Sequence, residues 1–482
     1  MKQYLKIFLY FIGLIILTSS CTTFKAQIRT NPAGELPTNF SLYTEGSERP
    51  ERWWEEFKDQ ELNALVEEAL SGDFSLKEAW ARLNQARALA TQAGSALYPD
   101  LTGTAGASQG RQRTENGSGN TQTTKDYSLG LSSTYEVDLW GRIRSEREAA
   151  LLEVTATRED VNAAAMTVAA EVTDRWANII SQRMQKTLLE KQLQINRTYL
   201  ELVELRFRKA MVSALDVYQQ RQVVEQVKSQ IPLIEAQEQL FMHELALLLG
   251  KPPKTPIEIT SDTLPSPVEI PATGLPADLL SSRPDVRSEG LRLYAADWQV
   301  AIARANRLPS ISLTASASYG AGELEMIFKN WLVNLAANLT APIFDGKRLD
   351  AEIDRTQAVA DEQLYAYRST VLTAVKEVED ALVSEDKQRQ HIKALEAEIA
   401  AARKALDQAR DGYLKGLDDY LPVLTQLLTV QELERDLIQR RTELFIYRVT
   451  LYRALGGTWT EELDPDTGLP TAKIKGDMDH EG

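Results

Sequence analysis

Apolar and polar positions alternate with two different periods along this chain, and the order of the periods repeats. From Trp53 and Trp54 through Leu62, Leu65, Val66 and Leu70, apolar residues recur at helical spacing. After Gly72, Asp73 is an N-cap for a further helix that runs to Leu97 and stops before Pro99. The period then falls to two. Tyr127, Leu129, Leu131, Ser133, Tyr135 and Val137 alternate with Ser128, Gly130, Ser132, Thr134 and Glu136. Ile311, Leu313, Ala315, Ala317 and Tyr319 alternate with serines and a threonine. Trp331, Val333, Leu335, Ala337 and Leu339 alternate with Asn334, Asn338 and Thr340, and Leu101, Gly103, Ala105 and Ala107 make a weaker run. The pattern predicts strands near 100–112, 127–139, 310–320 and 330–342. Each is about the 9–11 residues that a tilted strand needs to cross a bilayer. One apolar side and one Ser/Thr/Asn side is the signature of a transmembrane barrel with a wet lumen; a soluble hairpin with one face on a core alternates in the same way. The polar, Gly-rich stretch Arg111–Asp126 is expected to be an exposed loop between the first two strands, and Gly320–Lys329 the loop between the last two.

Behind each pair of strands the helical period returns over a long distance. From Lys347 to Asp411 neither proline nor glycine interrupts. Leu395, Ile399, Ala402, Leu406, Ala409 and Tyr413 form a heptad seam of the kind that packs long helices, which by itself also describes an ordinary coiled coil. Leu189, Leu193, Asn196, Leu200, Val203 and Phe207 repeat that seam 206 positions earlier. The break from Gly412 to Val423 matches Arg206 to Val217, and Leu455-Gly456 matches Leu249-Gly250. The chain is thus a two-fold tandem repeat. The first repeat is expected over 53–250 with a helical hairpin at 143–249, and the second over 278–457 with a hairpin at 347–455. The proline-rich stretch 251–277 links them as an irregular layer, and 458–482 is expected to be a flexible acidic tail. Four strands cannot close a barrel, for which about eight are the minimum. An open edge in lipid leaves backbone groups unpaired, so strands that span a membrane here require an oligomer.

Composition narrows the class. The 482 residues carry a net charge of −15 with no basic stripe, which argues against nucleic acid as a partner. The single cysteine, Cys21, excludes an internal disulfide and a cysteine-based metal cluster. Residues 1–20 read as a signal peptide, with Lys2 and Lys6 in the positive region and Ile7–Leu17 as the apolar run. Cys21 follows it and resembles the acylated first residue of a bacterial lipoprotein, although Thr18 stands where that pattern prefers leucine; a plain signal peptide with an incidental cysteine is the alternative. Residues 21–52 would then be a lipidated tether, with Thr22 after the cysteine favouring the outer membrane by the same resemblance.

Tyr135-Glu-Val-Asp-Leu-Trp-Gly-Arg142, Ser282-Arg-Pro-Asp-Val286, Leu308-Pro-Ser310, Pro342-Ile-Phe-Asp-Gly346 and Leu451-Tyr-Arg-Ala-Leu-Gly-Gly457 together resemble the TolC/OprM-type outer-membrane efflux proteins, in their lipoprotein branch. The resemblance covers Trp53 to Trp459. It implies an α+β membrane protein: a homotrimer with a twelve-stranded transmembrane β-barrel, four strands per chain, continued by a long α-helical tunnel in the periplasm of a Gram-negative bacterium. It implies a passive exit duct for drugs or other small molecules. The partners would be a periplasmic adaptor protein, an inner-membrane RND-type pump and outer-membrane lipid around acylated Cys21. A duct for type I protein secretion shares the fold, and a structural coiled-coil lipoprotein is the more distant alternative.

No catalytic residue, cofactor or metal site is expected. His243, His391 and His480 have no cysteine or carboxylate at ligand spacing. The breaks between the long helices are where the resemblance places function. Asp216 and Tyr413 look like one tie that holds such ducts closed. Leu421 fits the family's hydrophobic gate residue, while Thr425 stands where the family has an aspartate ring, so Asp418 and Asp419 are the expected anionic substitutes. Asp216 and Asp419 also lie where helices begin, and simple N-capping would explain them as well. Ala210, Met211, Val212, Ser213, Gly416 and Leu417 are the expected adaptor-docking tips.

Overall fold

A computed structural model describes residues 23–27, 29–42, 51–114, 120–266 and 270–463. Cys21, the signal peptide and the tail beyond Leu463 lie outside the described residues. The α-helices longer than a single turn are α1 (Gln60–Gly72), α2 (Phe74–Ser95), α3 (Arg142–Arg208), α4 (Ala214–Leu248), α5 (Pro284–Ala305), α6 (Arg348–Leu414) and α7 (Tyr420–Leu455). The strands are β1 (Asp100–Thr114), β2 (Asn120–Val137), β3 (Ser310–Ala321) and β4 (Trp331–Thr340). The internal repeat is kept almost to the residue. Shifted by 206 positions, α3 covers α6 and α4 covers α7 but for its last residue, and α2 shifted by 210 covers α5. The chain divides into two compact units, 1–32 with 82–157 and 288–368, and 33–81 with 158–287 and 369–482; each draws on both repeats.

The first unit is built on one antiparallel sheet in the order β1-β2-β3-β4. Its register explains the alternation. Leu101 pairs with Ser133, Ser133 with Ala315 and Ala315 with Leu335. Leu129 pairs with Tyr319, and Tyr319 with Trp331. The odd-numbered apolar residues therefore fall on one face, with Ser133 among them, and most of the Ser/Thr/Asn residues on the other, because cross-strand partners share a face. Leu335 and Trp331 are exposed, at 78% and 71%. The first two strands run further into the expected loop than the pattern indicated. Arg111–Thr114 continue β1 and Asn120–Asp126 begin β2, paired from Thr114↔Asn120 to Ser108↔Asp126. The expected loop is mostly strand, because a ladder that runs past a lipid zone needs no apolar face there. Leu324–Lys329, in the second expected loop, is a 3₁₀ turn.

The second strand of each repeat, β2 and β4, leads into a long helix, and the sequence supplies the caps. Asp138 accepts the amides of Ile143 and Arg144 (3.1 Å each) and the Arg144 guanidinium at 3.0 Å. Burial works against its charge, but these bonds outweigh it and hold the carboxyl below its usual range. Asp345 accepts the amide of Leu349 at 3.0 Å, the counterpart of Ile143. Trp140 donates its indole N–H to the Pro309 carbonyl at 2.7 Å, tying two of the quoted motifs together.

The second unit is helical. With no Gly or Pro in α3 and only Gly412 in α6, nothing in either 67-residue sequence breaks the hydrogen-bond ladder, so each reaches roughly 100 Å. Its core is aromatic at one place: Trp53 stacks on Tyr452 at 5.6 Å, Trp54 meets Trp459 edge-on at 4.8 Å, and Phe57 meets Phe445 at 4.4 Å. The linker is held to α1 by Ser261, whose hydroxyl donates to Asp59 at 2.7 Å, and by Thr260, whose amide donates to Glu61 at 2.6 Å.

Candidate functional site at the hairpin tips

Each hairpin is laced by ion pairs between its own two helices. Arg183–Glu238 and Lys186–Glu235 join α3 to α4 at 2.8 and 2.7 Å. Arg403–Glu434 and Arg441–Glu396 join α6 to α7 at 2.6 and 2.7 Å. Below them, Leu189, Leu193, Val203, Val217, Val223, Val224, Tyr413, Tyr420, Val423 and Leu424 form one buried cluster, so the two hairpins share a core near their tips.

The tips close by matching turns. Ala210 and Gly416 both have positive φ, and both turns carry the paired bonds of a Schellman motif. Met211, Ser213, Leu417, Asp418 and Asp419 are exposed, and Val212 is half-buried. Ser213 caps α4: its hydroxyl accepts the Asp216 amide at 3.3 Å, and Asp216 accepts the Ser213 amide at 2.9 Å. Asp216 is thus the N3 partner of a capping box, in the first turn, rather than the cap itself. Asp419 sits at the N-cap of α7 with no side-chain cap bond. Asp418 folds back over the end of α6, where a Cβ on Gly412 would collide with its carboxylate. Leu421 and Thr425 lie one turn apart on the exposed face of α7, and the Thr425 hydroxyl donates to the Leu421 carbonyl at 2.9 Å.

Among the described residues no hydrogen bond joins Asp216 to Tyr413. Tyr413 is buried, with the Arg206 guanidinium 4.1 Å from its ring centroid and donating to its carbonyl at 3.0 Å. Burial pushes the Tyr413 phenol up; the Arg206 guanidinium opposes this and the Asp216 charge adds to it.

The structure also brings together polar residues that the sequence reading did not single out. Between α3, α4 and α7 a buried chain of amides runs toward the tip. Arg435 donates to Gln192 at 2.6 Å, Gln192 to the Gln431 carbonyl at 3.0 Å, and Asn196 to the Gln431 side chain at 3.0 Å. Gln220 donates to the Asn196 carbonyl at 2.8 Å and accepts the Tyr420 hydroxyl at 2.6 Å. Buried amides bonded in this way favour one register between helices, although the Gln431 side-chain N–H finds no partner among the described residues. Asn196 sits inside a seam otherwise filled by Leu, Val and Phe, which was the available signal.

No His/Cys/Asp/Glu group among the described residues could hold a metal ion, and no described helix is long and apolar enough to cross a membrane.

Comparison with known proteins places this geometry. The family model described as outer membrane efflux protein matches residues 65–251 and 275–457, the two repeats. The pyoverdine export outer membrane protein OpmQ of Pseudomonas aeruginosa is 35% identical over 419 residues, covering 85% of this chain and 88% of that one. The cation efflux system protein CusC of Escherichia coli is 28% identical over 89% of this chain and 94% of its own. A solved CusC structure superposes with a TM-score of 0.81 at 29% identity, covering 90% of this chain and 99% of that one. The chain therefore belongs to the outer membrane efflux protein family, an outer-membrane protein whose four strands are one third of a trimeric twelve-stranded barrel and whose long helices are wall elements of a periplasmic tunnel.

Proposed function

We propose that this chain is the passive exit duct of a tripartite efflux system, not an enzyme, and that it conducts small molecules delivered by an inner-membrane RND-type pump through a periplasmic adaptor. One observation carries the reading. A sheet with an apolar face and two unpaired edges leads, through capped junctions at Asp138 and Asp345, into two 67-residue helices. Such a sheet is stable in lipid only when other copies close it. OpmQ and CusC carry names for pyoverdine export and cation efflux, two unlike cargoes on one fold. The cargo is thus chosen by the pump, and the duct supplies passage.

The closed end of the duct is the pair of tips. Leu421 and Thr425 line it, Asp418 and Asp419 give it negative charge, and the Asp216–Tyr413 neighbourhood holds it shut. Ala210, Met211, Val212, Ser213, Gly416 and Leu417 form the surface on which the adaptor docks. Cys21 carries the acyl anchor. The test is conductance of the purified trimer in a planar bilayer, with acyl labelling of the wild type against Cys21→Ser. Stepwise currents support the duct; a trimer that inserts and never conducts refutes it.

A further inference from the structure

The hairpin of β1 and β2 rises past the rest of the sheet, and its charges sort by face. β2 meets β3 only from Tyr127, which pairs with Ala321; Asn120–Asp126 pair with β1 alone. The apolar face, which meets lipid in a barrel with a wet lumen, ends here at an aromatic level. Tyr127 stands two residues beyond Leu129, which pairs with Tyr319, which pairs with Trp331. Tyr135 marks the other end of the same face, eight residues away, or about 26 Å along the strand. That is the scale of the apolar band between two aromatic girdles. Beyond Tyr127 the same face changes character. Lys125 comes next, opposite Gln109; Arg111 lies opposite Thr123 and Arg113 opposite Thr121. All three cations are exposed, and among the described residues none is joined to a carboxylate. Glu323 and Glu325, at the start of the neighbouring 3₁₀ turn, pair with none of them. The lumen face of the described part of the hairpin carries Asp126, opposite Ser108, and no cation.

A ribbon in water on both faces has no reason to sort its charges by face; a ribbon with one face against an anionic layer has one. The other end of β2 leads into α3, a wall element of the periplasmic tunnel, so the hairpin points out of the cell. Lys125, Arg111 and Arg113 stand about 7, 13 and 20 Å along the strand beyond Tyr127, or roughly 5, 10 and 15 Å higher at a tilt near 40°. The headgroup layer of a phospholipid is about 5–8 Å deep, so Lys125 lies within it and the two arginines reach above it. We infer that Lys125, Arg111 and Arg113 form a binding face for the phosphates of an outer-leaflet glycolipid, the lipopolysaccharide of a Gram-negative membrane, whose acyl chains lie against Tyr127 and the apolar band below. The glycolipid fits better than a phospholipid because its sugar headgroup extends to the height of the arginines. Their planar guanidinium forks suit phosphate oxygens, and the lysine nearest the girdle supplies a point charge. The inference rests on the outer-membrane barrel and not on conduction.

Titration of the purified full-length trimer in detergent with fluorescent lipopolysaccharide, read by anisotropy, tests this. A cation beside an anionic surface contributes about a fivefold factor in affinity, so Arg111→Gln with Arg113→Gln and Lys125→Gln should weaken binding at least about tenfold. Dephosphorylated lipopolysaccharide should bind the wild type as weakly. Lys125→Thr with Thr124→Lys keeps the net charge and moves one cation to the lumen face; it should still lose about fivefold. Asp126→Asn, on the lumen face, should bind as the wild type does. Should the triple variant fail to assemble, Arg113→Gln alone is the measure, with a loss of about fivefold and recovery in Arg113→Lys. Undiminished binding by the assembled variants, or by the dephosphorylated ligand, overturns the site. Equal affinity for phosphatidylglycerol overturns the glycolipid in favour of any anionic lipid. Displacement by millimolar inorganic phosphate overturns it in favour of a free anion. The readout is binding, so it stands or falls independently of current through the duct.

Discussion

Ala210 and Gly416 occupy the same point of the fold 206 residues apart, and both hold a left-handed backbone, with φ of 57° and 71°. In each tip the residue after it closes the helix, Met211 donating to the Arg206 carbonyl and Leu417 to that of Gly412, both at 2.9 Å. The conformation is free for glycine and strained for alanine. Nothing lies within 4 Å of a Cβ built on Gly416, so the backbone term acts alone there. Gly416→Ala should cost about 1 kcal/mol, and Ala210→Gly should stabilise by up to about the same amount. Denaturant unfolding of both variants would check the opposite signs.

Glu385 and Arg448 form an ion pair at 2.6 Å with 0% and 1% side-chain exposure, between α6 and α7. Their counterparts in the first repeat are Ile179 and Met242, both apolar. Removing one partner strands a buried charge, so Glu385→Ala should destabilise by about 3–5 kcal/mol. Exchanging both for the first repeat's residues, Glu385→Ile with Arg448→Met, should be close to neutral. Arg389, also bonded to Glu385, is partly exposed and can turn to solvent. Unfolding midpoints of the single and double variants distinguish pair loss from packing loss.

Asp174 on α3 gives a pH dependence. Burial raises its carboxyl to about 7, against the pull of Arg175 and Arg453 and with help from Glu171. One side-chain oxygen is buried without a hydrogen bond among the described residues. The folded state therefore binds this proton more tightly than the unfolded chain does. Its contribution is most favourable below the unfolded value near 4 and is lost as pH rises toward 7. Asp174→Asn should raise the thermal midpoint relative to wild type at pH 8 and change it little at pH 4. An equal shift at both pH values would remove the carboxyl from the explanation.

These three sites mark how far the sequence could be read. The repeat, the long helices and the period-two strands were legible because they rest on spacing alone; the offset that links Leu189 to Leu395 also predicts where α6 and α7 begin. The start of β2 was not, since Thr121–Lys125 are polar on both faces and resemble a loop. The Glu385–Arg448 pair was hidden because each residue alone looks like an ordinary charged helix position, and only its apolar counterparts give it away. The amide chain from Gln192 to Tyr420 depends on three helices meeting, which no single heptad specifies. The tip residues are the hardest case: Leu421, Thr425, Asp418 and Asp419 are exposed, so no packing pattern within the chain marks them out.

For that reason the charge at the tip is best tested by current. Three copies would bring six carboxylates from Asp418 and Asp419 around one axis, a field that draws cations in and repels anions. Asp418 lies back over Gly412, which leaves Asp419, without a cap bond, as the freer of the two. Asp418→Ala with Asp419→Ala should lower the preference for cations, read as the reversal potential across a salt gradient. The loss should be largest at about 0.01 M salt, where screening extends to roughly 30 Å, and small near 1 M, where it falls to about 3 Å. Thr425→Asp should act in the opposite sense, since it places a carboxylate one turn beyond Leu421 on the same exposed face. A reversal potential that ignores all three substitutions would mean that the narrowest point lies elsewhere and that the two aspartates serve only the ends of their helices.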